Sequence, residues 1–284
     1  MPRLRDALLT AADRLAAAGV DSPRLSAEVL FARAVGGSRV TLLTDAARML
    51  TTAELVRAEH FIARRERGEP VAYILGEKEF YGLDFRVTPG TLIPRPETEQ
   101  LVELAEERFP LDAPLRFLDF GTGSGALAVA VAVRFPRARG VALDLSSGAL
   151  EVARSNARRH GVEERVRFVE ADFTAEPPLT GADLVVANPP YVSEAEYAGL
   201  DREVAAFEPR SALVSAEEGL AHLRGLLPRA AQALAPGGLL LVEIGCGQGA
   251  GALDLLRSCG GFEAGAVLPD LAGLDRVLRA TRCG

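Results

Sequence analysis

The sequence predicts an α/β protein: a parallel sheet covered by helices on both faces, preceded by a small all-helical region and a β-hairpin. Three observations predict it. From residue 115 onward, strand-like and helix-like runs alternate, as "LRFLDF" then "GALAVAVAVRF", and "GVALDL" then "GALEVARSNARRHG". Alternation of this kind implies parallel strands joined by helical crossovers. Residues 1 to about 67 carry helical periodicity alone. Between the two regions, "PVAYILGEKEFYGLDFRVTPGTLIP" is rich in aromatic and β-branched residues punctuated by glycine, which reads as a hairpin.

The elements follow in order. Leu4, Leu8 and Leu15, with alanines between them, mark a first helix. "DSPRLSAEVLFARAVGG" has a cap-like Asp21-Ser22, a proline in the first turn and glycines at the stop. "TTAELVRAEHFIARRERG" places Glu54 three residues after Thr51, the spacing of a capping box. After the hairpin, "RPETEQLVELAEERF" starts a helix with Pro96 in its first turn and acids near its positive end. The alternating region continues with strands "RVRFVEAD" and "ADLVVAN", a long helix around "GLAHLRGLLPRAAQALAPGG", strand "LLLVEIG" and helix "GALDLLRSC". Two short strand candidates near "FEAGAVL" and "DRVLRA" end it.

Bulk properties narrow the function. Of 284 residues, 48% are hydrophobic and 25% charged, so a packed core is expected. The net charge of −7 argues against general affinity for nucleic acid. Cys246, Cys259 and Cys283 fit neither a zinc site nor a disulfide framework; an odd, sparse count suits a reducing, cytoplasmic compartment. The N-terminal "MPRLRDALLTAADRLAAAG" carries charges throughout its apolar pattern and reads as an amphipathic helix rather than a signal peptide. No apolar run reaches the length of a membrane span. Among the three histidines, His160 precedes Gly161 at a helix end, where a favourable dipole contact accounts for it.

In doubly wound sheets ligands bind beyond the carboxyl ends of the strands, so the residues after each strand carry the functional signal. The first strand leads into "DFGTGSGALA", with Gly121, Gly123 and Gly125 directly before a helix. Glycine permits a tight turn and lets a ligand approach the backbone. The pattern is G-x-G-x-G rather than the G-x-G-x-x-G of a pyrophosphate site, and Asp119 precedes it. An acid there disfavours phosphate and favours an ammonium-bearing ligand. The second strand ends at Asp144, where a carboxylate can hold ribose hydroxyls or simply cap the helix that begins near Ser146 or Ser147. The third ends at "ADF", where Asp172 can accept from an exocyclic amine and Phe173 can pack on a flat base. Together these tips describe a nucleoside with an amino-acid tail and no phosphate, which S-adenosylmethionine satisfies.

The fourth strand ends in "NPPY", Asn188 to Tyr191. Two prolines remove two backbone donors and hold the turn rigid. The Asn188 side-chain oxygen and the Pro189 carbonyl then offer two fixed acceptors for a planar NH₂, with Tyr191 to pack on the flat group. As the nitrogen becomes positive during methylation both hydrogen bonds strengthen, which stabilises the transition state selectively. Holding nucleophile and methyl in line can supply up to about 7–11 kcal/mol of the remaining barrier reduction. No strong base is required, because the proton becomes acidic only after transfer.

The combination of "LIPRPETEQLVE", "DFGTGSGALA", "NPPYVSE" and "EIGCGQG" resembles the glutamine-N5 methyltransferases of peptide-chain release factors, over almost the whole chain. The resemblance implies a Rossmann-like, seven-stranded class I methyltransferase domain at 96–284, a helical bundle at 1–70 that contacts the release factor, and a hairpin linker at 71–95. It implies methylation of the glutamine in a Gly-Gly-Gln motif, with S-adenosylhomocysteine as product and no metal. Asp119, Gly121, Thr122, Gly123, Ser124 and Gly125 would line the cofactor; Asp144 would hold its ribose; Asp172 and Phe173 would flank the adenine. Asn188, Pro189, Pro190 and Tyr191 would hold the glutamine amide, with Asn188 also facing the cofactor. Phe120 stands where leucine is more usual, and Ala72 where some members carry a polar residue. Two other readings share parts of the pattern: an adenine-N6 methyltransferase on DNA or RNA, which would prefer a basic groove, and a non-catalytic nucleoside- or partner-binding protein, which would be expected to have lost the asparagine or a loop glycine.

Overall fold

The computed structural model describes every residue of the chain except 176 and 178. In chain order the helices are α1 (Leu4–Ala17), α2 (Pro23–Ala34), α3 (Arg39–Thr44), α4 (Thr52–Glu66), α5 (Val71–Leu75), α6 (Glu99–Arg108), α7 (Ala126–Arg134), α8 (Ser147–Arg159), α9 (Glu194–Tyr197), α10 (Arg202–Phe207), α11 (Ala221–Ala233) and α12 (Gly249–Cys259). The strands are β1 (Glu77–Phe80), β2 (Leu83–Arg86), β3 (Arg116–Phe120), β4 (Arg139–Asp144), β5 (Val166–Glu170), β6 (Ala182–Ala187), β7 (Leu234–Glu243), β8 (Ala266–Pro269) and β9 (Asp275–Thr281).

The chain forms two compact units, one of Met1–Glu77 with Asp201–Phe207 and the other of Lys78–Leu200 with Glu208–Gly284. The first is helical. Leu4, Leu15, Leu30, Phe31, Leu42 and Ile62 meet in its core. The capping box at α4 is present: the Thr51 hydroxyl accepts from Glu54 N–H, and the Glu54 carboxylate accepts from Thr51 N–H at 2.8 Å. Asp21-Ser22 does not cap α2. Ser22 takes a left-handed φ of 47° and its side chain accepts no helix N–H, and Pro23 opens the helix instead. Arg65 is buried in this unit, where Nη1 donates to the Glu69 carbonyl at 3.0 Å and pairs with Glu203 of α10 at 2.5 Å.

The stretch expected to be all hairpin is divided. Residues 71–75 form the short helix α5, which stops at Gly76 in the left-handed conformation, and only β1 and β2 make the hairpin. Gly76 explains the difference, because a left-handed C-terminal glycine terminates a helix while the pattern of apolar residues alone suits either state.

The second unit contains a seven-stranded sheet in the order β5-β4-β3-β6-β7-β9-β8. The first five pair in parallel, whereas β9 runs antiparallel to both β7 and β8, so the sheet is mixed rather than wholly parallel. Helix α12 crosses over to β8, and a short turn from β8 brings β9 back between β8 and β7, antiparallel to both. The central strands are buried on both faces, which is why they read as continuous apolar runs. Phe117, Leu184, Val186, Leu239 and Leu241 pack to one side with α6, α7 and the hairpin. Leu118, Phe120, Val185, Ala187, Leu240 and Val242 pack to the other with α11 and α12. Helix α7 is apolar all round, and Ala126 to Ala132 are all buried. Chain order reverses at β3, between β4 and β6, so the turns after these three strands share one sheet edge.

Candidate active site

The turn after β3 is built by backbone hydrogen bonds to β4. The amides of Gly121 and Thr122 both donate to the Leu143 carbonyl, at 2.9 and 2.8 Å. Gly121, Gly123 and Gly125 all have positive φ, at 76°, 55° and 83°. Only Gly125 is crowded, since a Cβ there would stand 3.0 Å from the Ala153 Cβ of α8. A Cβ at Gly123 would meet nothing within 4 Å, and one at Gly121 only the Phe173 ring at 3.8 Å. The first two glycines therefore serve backbone conformation beside open space, and the third serves helix packing.

Asp119 is fully buried beneath this turn. Its Oδ2 accepts from Thr122 Oγ1 at 2.6 Å and from the Ala128 amide at 3.2 Å, while its Oδ1 has no partner. Burial drives its pKa from the ordinary 3.8 up to about 7, against the pull of those two donors. An orphaned carboxylate oxygen at a strand end fits a ligand that brings a cation, such as the ammonium of S-adenosylmethionine. Asp144 holds the same turn from the next strand: Oδ2 accepts from Gly123 N–H at 2.8 Å and Oδ1 from Ser146 N–H at 2.9 Å. It is not the helix cap, because the Ser146 hydroxyl takes that position for α8. Asp172 accepts from both the amide and the hydroxyl of Thr174, which lowers its pKa. Phe173 is buried between Phe120 and His222, with ring centroids at 6.1 and 5.9 Å. Phe120 thus gives Phe173 a stacked support.

Parallel register positions the second half of the site. Ala187 of β6 pairs with Val242 of β7, so the next residues, Asn188 just past β6 and Glu243 at the end of β7, lie side by side. Asn188 Nδ2 donates to Thr98 Oγ1 at 3.1 Å, and Thr98 Oγ1 donates to Glu243 Oε2 at 2.6 Å. The Tyr191 hydroxyl donates to the other carboxylate oxygen, Oε1, at 3.1 Å. Among the described residues, no hydrogen-bond donor reaches Asn188 Oδ1 or the Pro189 carbonyl. The Tyr191 carbonyl is clamped by Gln248 Nε2 at 2.9 Å, and Gln248 Oε1 accepts from Gly245 N–H at 2.8 Å. Gly219 packs against this clamp: its φ is 86°, and a Cβ would lie 2.1 Å from the Tyr191 oxygen. The turn's exit is tied by Val192 N–H to Leu213 O and by Ser215 N–H to Val192 O.

The ionisable groups here are set by burial. Glu243 is 1% exposed, and burial raises its pKa against the donors Thr98 and Tyr191 and the charge of Arg276. Tyr191 is pushed up by burial and by Glu243, so its hydroxyl is a fixed donor and not a base at neutral pH. His222 is pushed down by burial and is held by Ser215 Oγ at 2.8 Å from Nδ1. Arg95 of "LIPRPE" pairs with the buried Glu208 at 2.5 Å, and Glu208 also accepts from the Ile93 amide at 3.0 Å. His160 ends α8 as expected, with Nε2 2.9 Å from the Asp84 carbonyl of the hairpin.

Comparison with known proteins bears on this arrangement. A family described as "PrmC N-terminal domain" matches residues 6–76, and one described as "Methyltransferase small domain" matches 98–204. A release factor glutamine methyltransferase of Nitratidesulfovibrio vulgaris is 48% identical over 281 residues, covering 98% of this chain and 95% of the relative. One of Moorella thermoacetica is 47% identical over 281 residues, covering 98% of each. This chain belongs to the release factor glutamine methyltransferase family. As a member of that family it is an S-adenosylmethionine-dependent enzyme. Solved structures share the fold. The hMettl16 catalytic domain aligns at TM-score 0.57 and 15% identity over 80% of this chain and 81% of that one. A methyltransferase of Pyrococcus furiosus aligns at TM-score 0.51 and 20% identity over 78% and 98%.

Four residues of the site escaped the sequence reading: Thr98, Glu208, Glu243 and Gln248. Glu243 had a usable signal, since "LLLVE" ends an apolar strand with an acid, as β4 does at Asp144. Thr98, Glu208 and Gln248 had none at the level of residue type, because only the three-dimensional register brings them to the Asn-Pro-Pro-Tyr turn or its neighbours.

Proposed function

We propose that the protein methylates the side-chain amide nitrogen of the glutamine in the Gly-Gly-Gln motif of peptide-chain release factors, in the cytoplasm. The observation that carries the reading is the pair of acceptors at consecutive residues, Asn188 Oδ1 and Pro189 O, neither receiving a hydrogen bond from any described residue while the Asn188 amino group is engaged by Thr98. An NH₂ with two in-plane donors is the complement of two such acceptors.

Bound over the Gly121–Gly125 turn, with its ammonium at Asp119 and its ribose at Asp144, S-adenosylmethionine would supply a methyl on a sulfonium and leave as the thioether. Asp172 and Phe173 would flank the adenine. The chain's own residues do the rest. Asn188 and Pro189 accept the two N–H groups of the glutamine amide and turn its face toward the methyl. Tyr191, its hydroxyl fixed on Glu243, presents its ring to the flat amide. Both acceptors gain strength as positive charge develops on nitrogen. The helical unit, which matches the family's N-terminal domain, would hold the release factor away from the reacting loop.

The test is to incubate the protein with methyl-labelled cofactor and purified release factor, digest, and locate the label by peptide mass. Label on the glutamine of the Gly-Gly-Gln peptide is the expected result. Label elsewhere, or none, overturns the reading.

A further inference from the structure

An amide side chain in an active site presents either its oxygen or its NH₂, and which one it presents decides whether it can accept from a substrate amine. We propose that Thr98 and Glu243 are positioning residues that set this orientation of Asn188, and that the protonation of Glu243 switches it. The inference rests on the proposed glutamine methylation and adds two residues to it.

A hydroxyl carries one proton. Thr98 Oγ1 stands 2.6 Å from Glu243 Oε2 and 3.1 Å from Asn188 Nδ2. An ionised carboxylate only accepts, so the Thr98 proton goes to Glu243. Oγ1 is left with lone pairs toward Asn188, which only the amide NH₂ can satisfy. Asn188 Oδ1 is thereby turned to the opposite side, as an acceptor for substrate. Tyr191 completes the carboxylate, donating to Oε1 at 3.1 Å.

Protonating Glu243 removes the constraint. The acid can then donate to Thr98 Oγ1, the Thr98 hydroxyl can turn its own hydrogen toward Asn188, and the amide can rotate so that Oδ1 accepts it. A rotated amide meets the substrate donor-to-donor, without a hydrogen bond. The groups acting on Glu243 come from every neighbouring element: Thr98 and Glu97 from the turn before α6, Tyr191 from the turn after β6, and Arg276 from β9, which Asp270 in turn neutralises at 3.1 Å. Burial outweighs the donors and Arg276, so the group titrates above the ordinary carboxylate range. The sign follows: kcat is full where Glu243 is ionised and falls as pH drops through its raised pKa.

The experiment measures kcat and KM of the full chain across the pH range with a Gly-Gly-Gln peptide, for wild type, Thr98→Val, Thr98→Ser and Glu243→Gln, with cofactor affinity by calorimetry as the check on folding. Valine keeps the shape and removes the relay, so kcat should fall roughly tenfold to a hundredfold. Peptide KM and cofactor affinity should stay within about twofold, and the acid limb of kcat should vanish. Serine should retain most of kcat together with the limb. Glu243→Gln should lower kcat at every pH and flatten the limb, which decides the matter should the valine variant not fold. A Thr98→Val protein with wild-type kcat, or with the acid limb unmoved, overturns the inference alone. A wild-type chain that leaves the glutamine unlabelled overturns the methylation reading and this inference with it.

Discussion

Asn188→Ala removes one of the two acceptors and leaves the turn's prolines in place. Turnover should fall by two orders of magnitude or more, with cofactor affinity within a few-fold, because the loss is confined to an interaction that strengthens in the transition state. Single-turnover rates beside calorimetric binding of the cofactor would separate the two effects. Asp119 makes a different kind of prediction. With its pKa pushed up to about 7 by burial, the carboxyl is protonated in the cofactor-free protein below that pH. Native protein then binds more protons than unfolded chain between 3.8 and about 7, so on this account stability falls as pH rises through that window. A cation at the orphaned Oδ1 reverses the preference, because it favours the ionised form. Cofactor affinity should therefore weaken as pH falls below about 7, with a proton released on binding near neutrality. Asp119→Asn should abolish that proton release and lower affinity, which calorimetry in buffers of different ionisation enthalpy would read.

At the scale of elements, the site is a set of strand ends held in register, with the Asn-Pro-Pro-Tyr turn anchored by Gln248 and Gly219. Gly219→Ala places a Cβ 2.1 Å from the Tyr191 oxygen in a left-handed conformation. The backbone term is about 1–2 kcal/mol and loss of the Gln248 bond to Tyr191 about 1 kcal/mol more. The expected outcome is a drop in Tm of several degrees and a fall in kcat larger than any change in cofactor affinity, since the glycine turn after β3 is untouched. Much of this layer was legible in the sequence: the succession of strands and helices along the chain, the glycine turn and the rigid tip after β6 all follow from periodicity and from glycine and proline. The antiparallel β9 was not, because strand direction depends on connection geometry, which a short run such as "DRVLRA" does not encode. The network through Thr98 and Glu243 was hidden for a related reason. Thr98 is 90 residues from Asn188, and only the pairing of Ala187 with Val242 aligns Glu243 beside it.

At the scale of the whole molecule, the chain visits the helical unit twice, first as Met1–Glu77 and again as Asp201–Phe207. The second visit begins ten residues after Tyr191 and supplies Glu203, the partner of the buried Arg65. Removing only the N-terminal residues would strip α10 of its packing and disturb the segment leaving the Asn-Pro-Pro-Tyr turn, so any effect on catalysis would be ambiguous. The informative deletion removes residues 1–76 and replaces 201–207 by a flexible linker of equal length. If the helical unit grips the release factor at a distance from the glutamine, this variant should keep kcat and KM for a Gly-Gly-Gln peptide within a few-fold. Its KM for intact release factor should rise at least tenfold, the equivalent of about 1.4 kcal/mol of lost docking. Equal effects on both substrates would show that the unit stabilises the sheet domain and does not hold the substrate, and measuring the two KM values side by side distinguishes the cases.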